Sequence, residues 1–295
     1  MLLDRLGFSP GLIDGHSGAL LVRAIKGFQE ARRLDRTGRL DEATKRALAP
    51  YSVTPGTIEV TLSQADVAGP FVGPIPDDPA EQAKLPAMGY SDAMEELAER
   101  YHTSRQTLVA LNSPDTPLTA GTRIKVPNVR PGAVNYPADL RPDWKAILVQ
   151  LSVSSDQPKA AKVVVDKSDG VLRVYDDGGK LVAQFPATMG STHDPLPIGN
   201  WKIQGTSYLP TFHYNPDLFW DAKATDTKET LQPGPNGPVG VVWMDLDKDH
   251  YGIHGTATPE TIGRTTSHGC IRLTNWDAAR LSLMVKSGTP AVFQE

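Results

Sequence analysis

Cys270 is the single cysteine in 295 residues, and two of the seven histidines, His254 and His268, lie close to it in sequence. A thiolate attacks carbonyl carbons and imidazole accepts the thiol proton, so these residue types together point to acyl transfer through a thioester. Glycine follows His254 and precedes Cys270. With no Cβ, Gly255 and Gly269 permit sharp turns and close approach of a substrate. The N–H groups of Gly269 and Cys270 precede a helix expected to start at Thr274 or Asn275, a placement suited to holding an oxyanion. Arg272 lies two residues beyond the thiol, where a guanidinium fork matches a substrate carboxylate.

Each residue also has a plainer reading. An unpaired cysteine is often a small buried hydrophobe, and an arginine is often ion-paired at a surface. His268 is a rival base, but a loop of two residues makes in-line proton transfer awkward; its other reading is a hydrogen-bonded residue that shapes the loop. Ser267 is a loop hydroxyl or a substrate contact. A zinc site built from His250, His254, His268 and Cys270 is a further alternative. The His250-x3-His254 spacing suits a helix, whereas Tyr251-Gly252-Ile253 has the character of a strand, and no nearby Glu completes a metalloprotease pattern. No metal or other cofactor is therefore expected.

The run Ser267-His268-Gly269-Cys270-Ile271-Arg272-Leu273, with His254-Gly255-Thr256 upstream, resembles the signature of the L,D-transpeptidases (the YkuD or ErfK/YbiS-type domain). Seven contiguous residues carry the likeness, and the histidine precedes the cysteine by 270 − 254 = 16 positions. Pro195-Leu196-Pro197-Ile198-Gly199-Asn200-Trp201 is similar to a second stretch of the family. The resemblance covers about residues 160 to 295. It implies a peptidoglycan stem peptide as substrate, Cys270 as nucleophile and His254 as base, oriented by the main-chain carbonyl of Gly255. It further implies a thiolate–imidazolium pair, carbapenem-type β-lactams as covalent inhibitors and a polar substrate contact at Arg272. An L,D-carboxypeptidase, in which water resolves the thioester, shares the same first half-reaction. A wall-binding protein with an inactive catalytic domain is the non-enzymatic alternative.

These residues need a scaffold, and the chain is expected to be a multidomain α+β protein. Residues 1–50 have the pattern of a small helical module. Leu20, Leu21, Ala24, Ile25 and Phe28 form one helix face, and Asp41 caps a second helix that Pro50 stops. The pattern is similar to the three-helix peptidoglycan-binding module, with a ligand-free helical cap as the alternative. Residues 51–130 form a middle module in which two capped helices precede a strand at Ile124-Lys125-Val126. This text resembles the back half of a LysM module, with an atypical insertion. Sugar binding and a purely structural spacer both remain open there. Five prolines between Gly69 and Pro86 indicate an extended loop. Residues 131–159 are expected to be a linker, with a possible helix or strand from Trp144 to Leu151.

Residues 160–295 are β-rich and sandwich-like, with strands near 162–166, 171–175, 181–185, 199–203, 240–244 and 251–254 and one late helix at about 275–287. The stretch from 205 to 238 has few regular signals. Its length favours a lid, with His213 and Tyr214 as lid contacts or simply an exposed aromatic pair.

A net charge of −4 argues against a broad nucleic-acid surface, and no apolar run is long enough to span a bilayer. Met1-Leu2-Leu3-Asp4-Arg5 lacks the basic start and apolar stretch of a secretory signal. The chain is then either cytosolic or a mature form, and the family likeness favours a periplasmic or cell-wall location.

Overall fold

The computed structural model describes all 295 residues. The N-terminal module holds helices α1 (Leu2–Arg5), α2 (Ala19–Ala31) and α3 (Glu42–Leu48). Asp41 caps α3 by accepting from the Thr44 N–H at 2.9 Å, which satisfies one of the free donors of its first turn. Phe8 and Phe28 meet edge to face in the module's small core. Leu181 of the C-terminal domain completes that core.

The middle module comprises β1 (Thr57–Thr61), α4 (Gln64–Val67), α5 (Pro79–Gln82), α6 (Ala93–Arg100), α7 (Arg105–Leu111) and β2 (Arg123–Pro127). The two strands pair antiparallel, with Val60 opposite Ile124. Asp92 caps α6 and Ser104 caps α7 through their side-chain oxygens. Leu62, Leu97, Leu108, Ile124 and Val126 close the core between helices and strands.

The C-terminal domain begins with α8 (Pro142–Gln150). It continues through β3 (Lys162–Asp166), β4 (Val171–Tyr175), β5 (Leu181–Pro186), β6 (Thr188–Met189), β7 (Gly199–Tyr208), β8 (Phe212–Tyr214), β9 (Glu229–Leu231), β10 (Val242–Leu246), β11 (Gly252–His254), β12 (Ile271–Arg272), α9 (Asn275–Met284) and β13 (Pro290–Gln294). Nine of these strands form one sheet in the order β5-β4-β3-β13-β7-β10-β11-β12-β6, while β8 and β9 make a separate hairpin. The two halves are joined through β7, which pairs with β13 over its first residues and with β10 over its last. Val163 and Phe185 from one end and Met244, Ile253 and Ile271 from the other share a single buried cluster with Trp276 and Leu281 of α9. Helix α9 is buried almost all round, as expected of a helix enclosed by a sheet.

Two sequence expectations are corrected here. Residues 131–159 are not merely a linker, because Trp144, Leu148, Leu151 and Val153 are fully buried in the C-terminal core. The region from 205 to 238 is more regular than expected: β7 runs on to Tyr208, and the β8–β9 hairpin pairs Phe212 with Leu231. Strands of three residues are too short to display an alternation.

The modules are docked rather than strung out. Backbone bonds from Ser9 to Gln184 and from Gln184 to Gly7, both 2.9 Å, cover the edge strand β5 with the N-terminal segment. Beneath this seam lies a buried ionic cluster. Arg280 on α9 donates to both carboxylate oxygens of Asp4, at 2.9 and 2.8 Å. His102 of the middle module bridges Asp4 and the Leu151 carbonyl while stacking on Trp276. Burial alone would raise the Asp4 carboxyl, but Arg280 and His102 hold it well below the usual carboxylate range. Asp4→Ala leaves the buried Arg280 guanidinium without its bidentate partner, so denaturant unfolding is expected to show a loss of about 3–5 kcal/mol. A loss under about 1 kcal/mol would mean that the cluster does not hold the modules together.

Candidate active site

His254 ends β11, and Cys270 stands immediately before β12. The two strands run parallel, with Ile253 opposite Ile271 and His254 opposite Arg272. Continuing that register sets Cys270 opposite Gly252, so Cys270, Arg272 and His254 share one face of the sheet by strand alternation. His254 and Cys270 are diagonal neighbours, a relation that separates Cα atoms by about 7–8 Å and lets ring and sulfur approach.

The His254 side chain is oriented by its surroundings. Its ring lies over Trp243, the cross-strand residue on β10, at 5.3 Å between centroids and 22° between planes. Its Nδ1 sits 2.7 Å from the Gly255 carbonyl oxygen. A carbonyl only accepts, so Nδ1 carries the proton and Nε2 presents a bare lone pair. Burial, assisted by the nearby Arg272 charge, lowers the His254 pKa to about 3 despite the pull of the Gly255 carbonyl.

Cys270 is half-buried, and its Sγ donates to the His250 carbonyl at 3.6 Å. Burial pushes the thiol above its ordinary value, against the Gly252 N–H and the Arg272 charge, which favour the thiolate. Both shifts favour a neutral thiol and a neutral imidazole over the thiolate–imidazolium pair.

Gly269 adopts φ +95°, and a Cβ there would fall 2.7 Å from the Tyr251 ring. Only glycine fits both the left-handed backbone and the close packing. No backbone carbonyl accepts from the N–H of Gly269 or Cys270, which leaves both donors open beside the sulfur. Arg272 has a buried Nε with no partner. The Asp221 carboxylate is the acidic group whose charge reaches the guanidinium, together with the thiol.

The other predicted residues are placed differently. Ser267 donates to the Cys270 carbonyl at 2.6 Å and accepts from the Gly190 N–H at 2.7 Å. Its hydroxyl proton is spent on holding the loop, in line with the loop-hydroxyl reading rather than the substrate contact. His268 turns to the segment between β8 and β9: its Nε2 lies 2.9 Å from Asp221, and Phe219 and Trp220 pack against its ring. Tyr214, at the end of β8, donates to Asp226 at 2.8 Å and stacks on Phe219 of the same segment. His213 is exposed on the hairpin beside Thr230 and reaches none of the residues around the thiol.

With His268 drawn away to Asp221, the zinc alternative has no ligand set: nowhere do three or more metal-capable side chains converge. Three hollows of 330, 340 and 330 Å³ lie at the seams between modules, and none is lined by Cys270, His254 or Arg272.

Sequence reasoning missed Trp243, Tyr251 and Asp221. Trp243 sits in a legible strand, but its pairing with His254 depends on register between strands, which no local pattern encodes.

Comparison with known proteins gives two family matches. Residues 160–293 match the L,D-transpeptidase catalytic domain, and residues 1–48 match a peptidoglycan binding domain. A Bacillus licheniformis protein named L,D-transpeptidase YkuD is 27% identical over 201 residues, covering 67% of this chain and 91% of that protein. Its Bacillus subtilis namesake is 50% identical over 58 residues, 20% of this chain and 35% of its own. The L,D-transpeptidase YbiS of Escherichia coli K12 is 29% identical over 137 residues, 44% of each. Among solved structures, an L,D-transpeptidase from Mycobacterium smegmatis covers 45% of this chain and 58% of its own, at 22% identity and a TM-score of 0.37.

Proposed function

We propose that this protein uses Cys270 and His254 to transfer peptidoglycan stem peptides through a thioester, a reading supported by the match of residues 160–293 to the L,D-transpeptidase catalytic domain. The observation that carries this reading is the bond from His254 Nδ1 to the Gly255 carbonyl. It fixes the tautomer whose free nitrogen shares a sheet face with the only thiol.

As Cys270 Sγ bonds to the carbonyl carbon of the third stem residue, Nε2 of His254 takes the thiol proton. The N–H groups of Gly269 and Cys270 hold the developing oxyanion. The carbon–nitrogen bond to the terminal D-amino acid then breaks, and the imidazolium protonates the departing amine. In the second half, an amine of a neighbouring stem attacks the thioester, His254 removes its proton, and the thiol is regenerated. With water as acceptor, the same cycle trims the stem. Arg272, its guanidinium free of a protein carboxylate, holds a carboxylate of the substrate, and the lid carrying Tyr214 closes over it.

The N-terminal module, residues 1–50, binds peptidoglycan, in keeping with its family match. Residues 51–130 act as a LysM-like glycan-binding module. Their antiparallel strands flanking two capped helices support that reading. The enzyme works in the periplasm or at the cell wall.

Purified muropeptides test the reaction. Product analysis is expected to show loss of the terminal D-amino acid with cross-linked or trimmed product. A carbapenem, whose strained amide acylates a thiol, is expected to leave one covalent adduct that peptide mapping assigns to Cys270. Absence of both product and adduct, in protein whose fold is intact, would sink the proposal.

A further inference from the structure

The carbonyl that orients His254 is itself held in place from the middle module. Asn275, the first residue of α9, is fully buried directly behind the Gly255 peptide: a Cβ added to Gly255 would fall 2.1 Å from its Oδ1. Gly240, at φ +60°, packs on the other side, and a Cβ there would lie 2.0 Å from the same oxygen and 2.8 Å from the Gly255 carbonyl carbon. All polar atoms of the Asn275 carboxamide are engaged. Oδ1 accepts from the Val241 N–H at 3.1 Å, and Nδ2 donates to the Pro235 carbonyl at 3.1 Å and to Glu99 Oε1 at 2.9 Å. Glu99 belongs to α6 of the middle module, and Tyr90 of the same module donates to its second oxygen at 2.6 Å. The bond between Glu99 and Asn275 thus crosses the seam between modules.

The same seam grips the loop that carries Pro235. Met88 N–H donates to the Pro233 carbonyl at 3.1 Å, and the Asn236 N–H donates to the Met88 carbonyl at 2.9 Å. Asn236 Nδ2 adds a bond to the Gly89 carbonyl at 2.9 Å. This loop leads into β10, where the Val242 carbonyl accepts from the Gly255 N–H at 3.3 Å. The Gly255 peptide is therefore fixed on one side by a strand anchored to residues 88–90 and on the other by an asparagine held by Glu99.

From this chain of contacts we infer that Glu99 is a positioning residue for catalysis. Through Asn275 it fixes the Gly255 carbonyl, and so the His254 tautomer and ring. The middle module then helps to build the active site as well as binding glycan. The inference rests on His254 acting as the base, and it gives the acyl-transfer machinery a component outside residues 160–293. The physical reason is that a buried amide with a missing acceptor reorients to recover it. Burial raises the Glu99 carboxyl to about 7, against the Tyr90 and Asn275 hydrogen bonds. A neutral glutamine is therefore a fair isostere, since it still offers Asn275 an acceptor.

Glu99→Leu, Glu99→Gln and Tyr90→Phe test the inference, each in the full chain. Two readouts are taken: the ¹⁵N spectrum of the His254 ring without substrate, and kcat and KM for stem-peptide transfer. Glu99→Leu is expected to lower kcat about 10–100-fold with KM within about twofold, and to lose the single protonated-Nδ1 signal. Glu99→Gln is expected to stay within about threefold of the parent and to keep that signal. Tyr90→Phe leaves the carboxyl in place but unpinned, so a smaller fall in kcat with a broadened ring signal is expected even where Glu99→Leu does not fold. An unchanged ring signal and kcat in both Glu99→Leu and Tyr90→Phe overturns the inference. So does an equal loss in Glu99→Gln and Glu99→Leu. Should the parent enzyme transfer no stem peptide while the ring signal still shifts in Glu99→Leu, the reaction assignment falls and the positioning role stands.

Discussion

Cys270→Ser is expected to lower stem-peptide transfer by about 10⁴-fold or more, with the thermal melt of the protein unchanged. The argument rests on the base. Burial and the Arg272 charge hold His254 at about 3, so it is a weak proton acceptor in the resting site. A thiol is acidic enough to lose its proton to such a base once the oxyanion and imidazolium form together and stabilise each other. A serine hydroxyl is far less acidic, and the same imidazole cannot activate it. Oxygen in place of sulfur is otherwise a modest change at this half-buried position. Its hydrogen-bond acceptor, the His250 main-chain carbonyl, accepts from either group. Chromatographic assay of released D-amino acid measures the effect, and intact mass after carbapenem exposure shows whether acylation is lost with it. A serine variant within about a hundredfold of the parent would place the nucleophile elsewhere.

The residues to which the chemistry is assigned were legible because their types are rare and their neighbours are glycines. A single cysteine with histidine sixteen positions upstream limits the reactions open to the chain; His254 ends one strand and Cys270 immediately precedes its neighbour. The Gly255 carbonyl was legible only through the family likeness, since backbone acceptors carry no residue signature. What holds these groups was not legible. The Asn275–Glu99 bond joins residues 176 positions apart, and a polar residue inside a helix pattern gives no sign that it will be fully buried. Asp221 sits in a loop without periodicity, so nothing local ties it to His268. Most strands were evident from runs such as Lys162-Val163-Val164-Val165-Asp166, but their order was not. β13 lies between β3 and β7, and that long-range insertion depends on burying Ala291 and Phe293 in the common core. Trp144 was hidden for a related reason: a nine-residue helix that follows several prolines reads as a connection until its apolar side chains find a core.

His254→Ala is expected to cost about 10²–10⁴-fold in kcat/KM, the range for losing a positioned general base, whereas His268→Ala is expected to cost less than about tenfold. The difference follows from where each ring points. His254 turns its free nitrogen onto the face shared with the thiol, while His268 spends its Nε2 on Asp221 in the lid. The loss at His268 is therefore expected mostly in KM, because a lid without its latch closes less often on substrate. The pH dependence separates the two roles further. A base works when unprotonated, and a lowered pKa extends that state to lower pH. With His254 shifted to about 3, the acid limb of kcat/KM is expected well below the ordinary imidazole value of 6.5. The thiol moves the other way: raised above 9.0, it stays neutral through physiological pH. Iodoacetamide, which reads the thiolate, is then expected to label substrate-free enzyme slowly at neutral pH and faster only in alkali. Fast labelling at neutral pH with an acid limb near 6.5 would show that the pair rests as thiolate and imidazolium. A larger loss at His268 than at His254 would show that the base is the lid-facing ring.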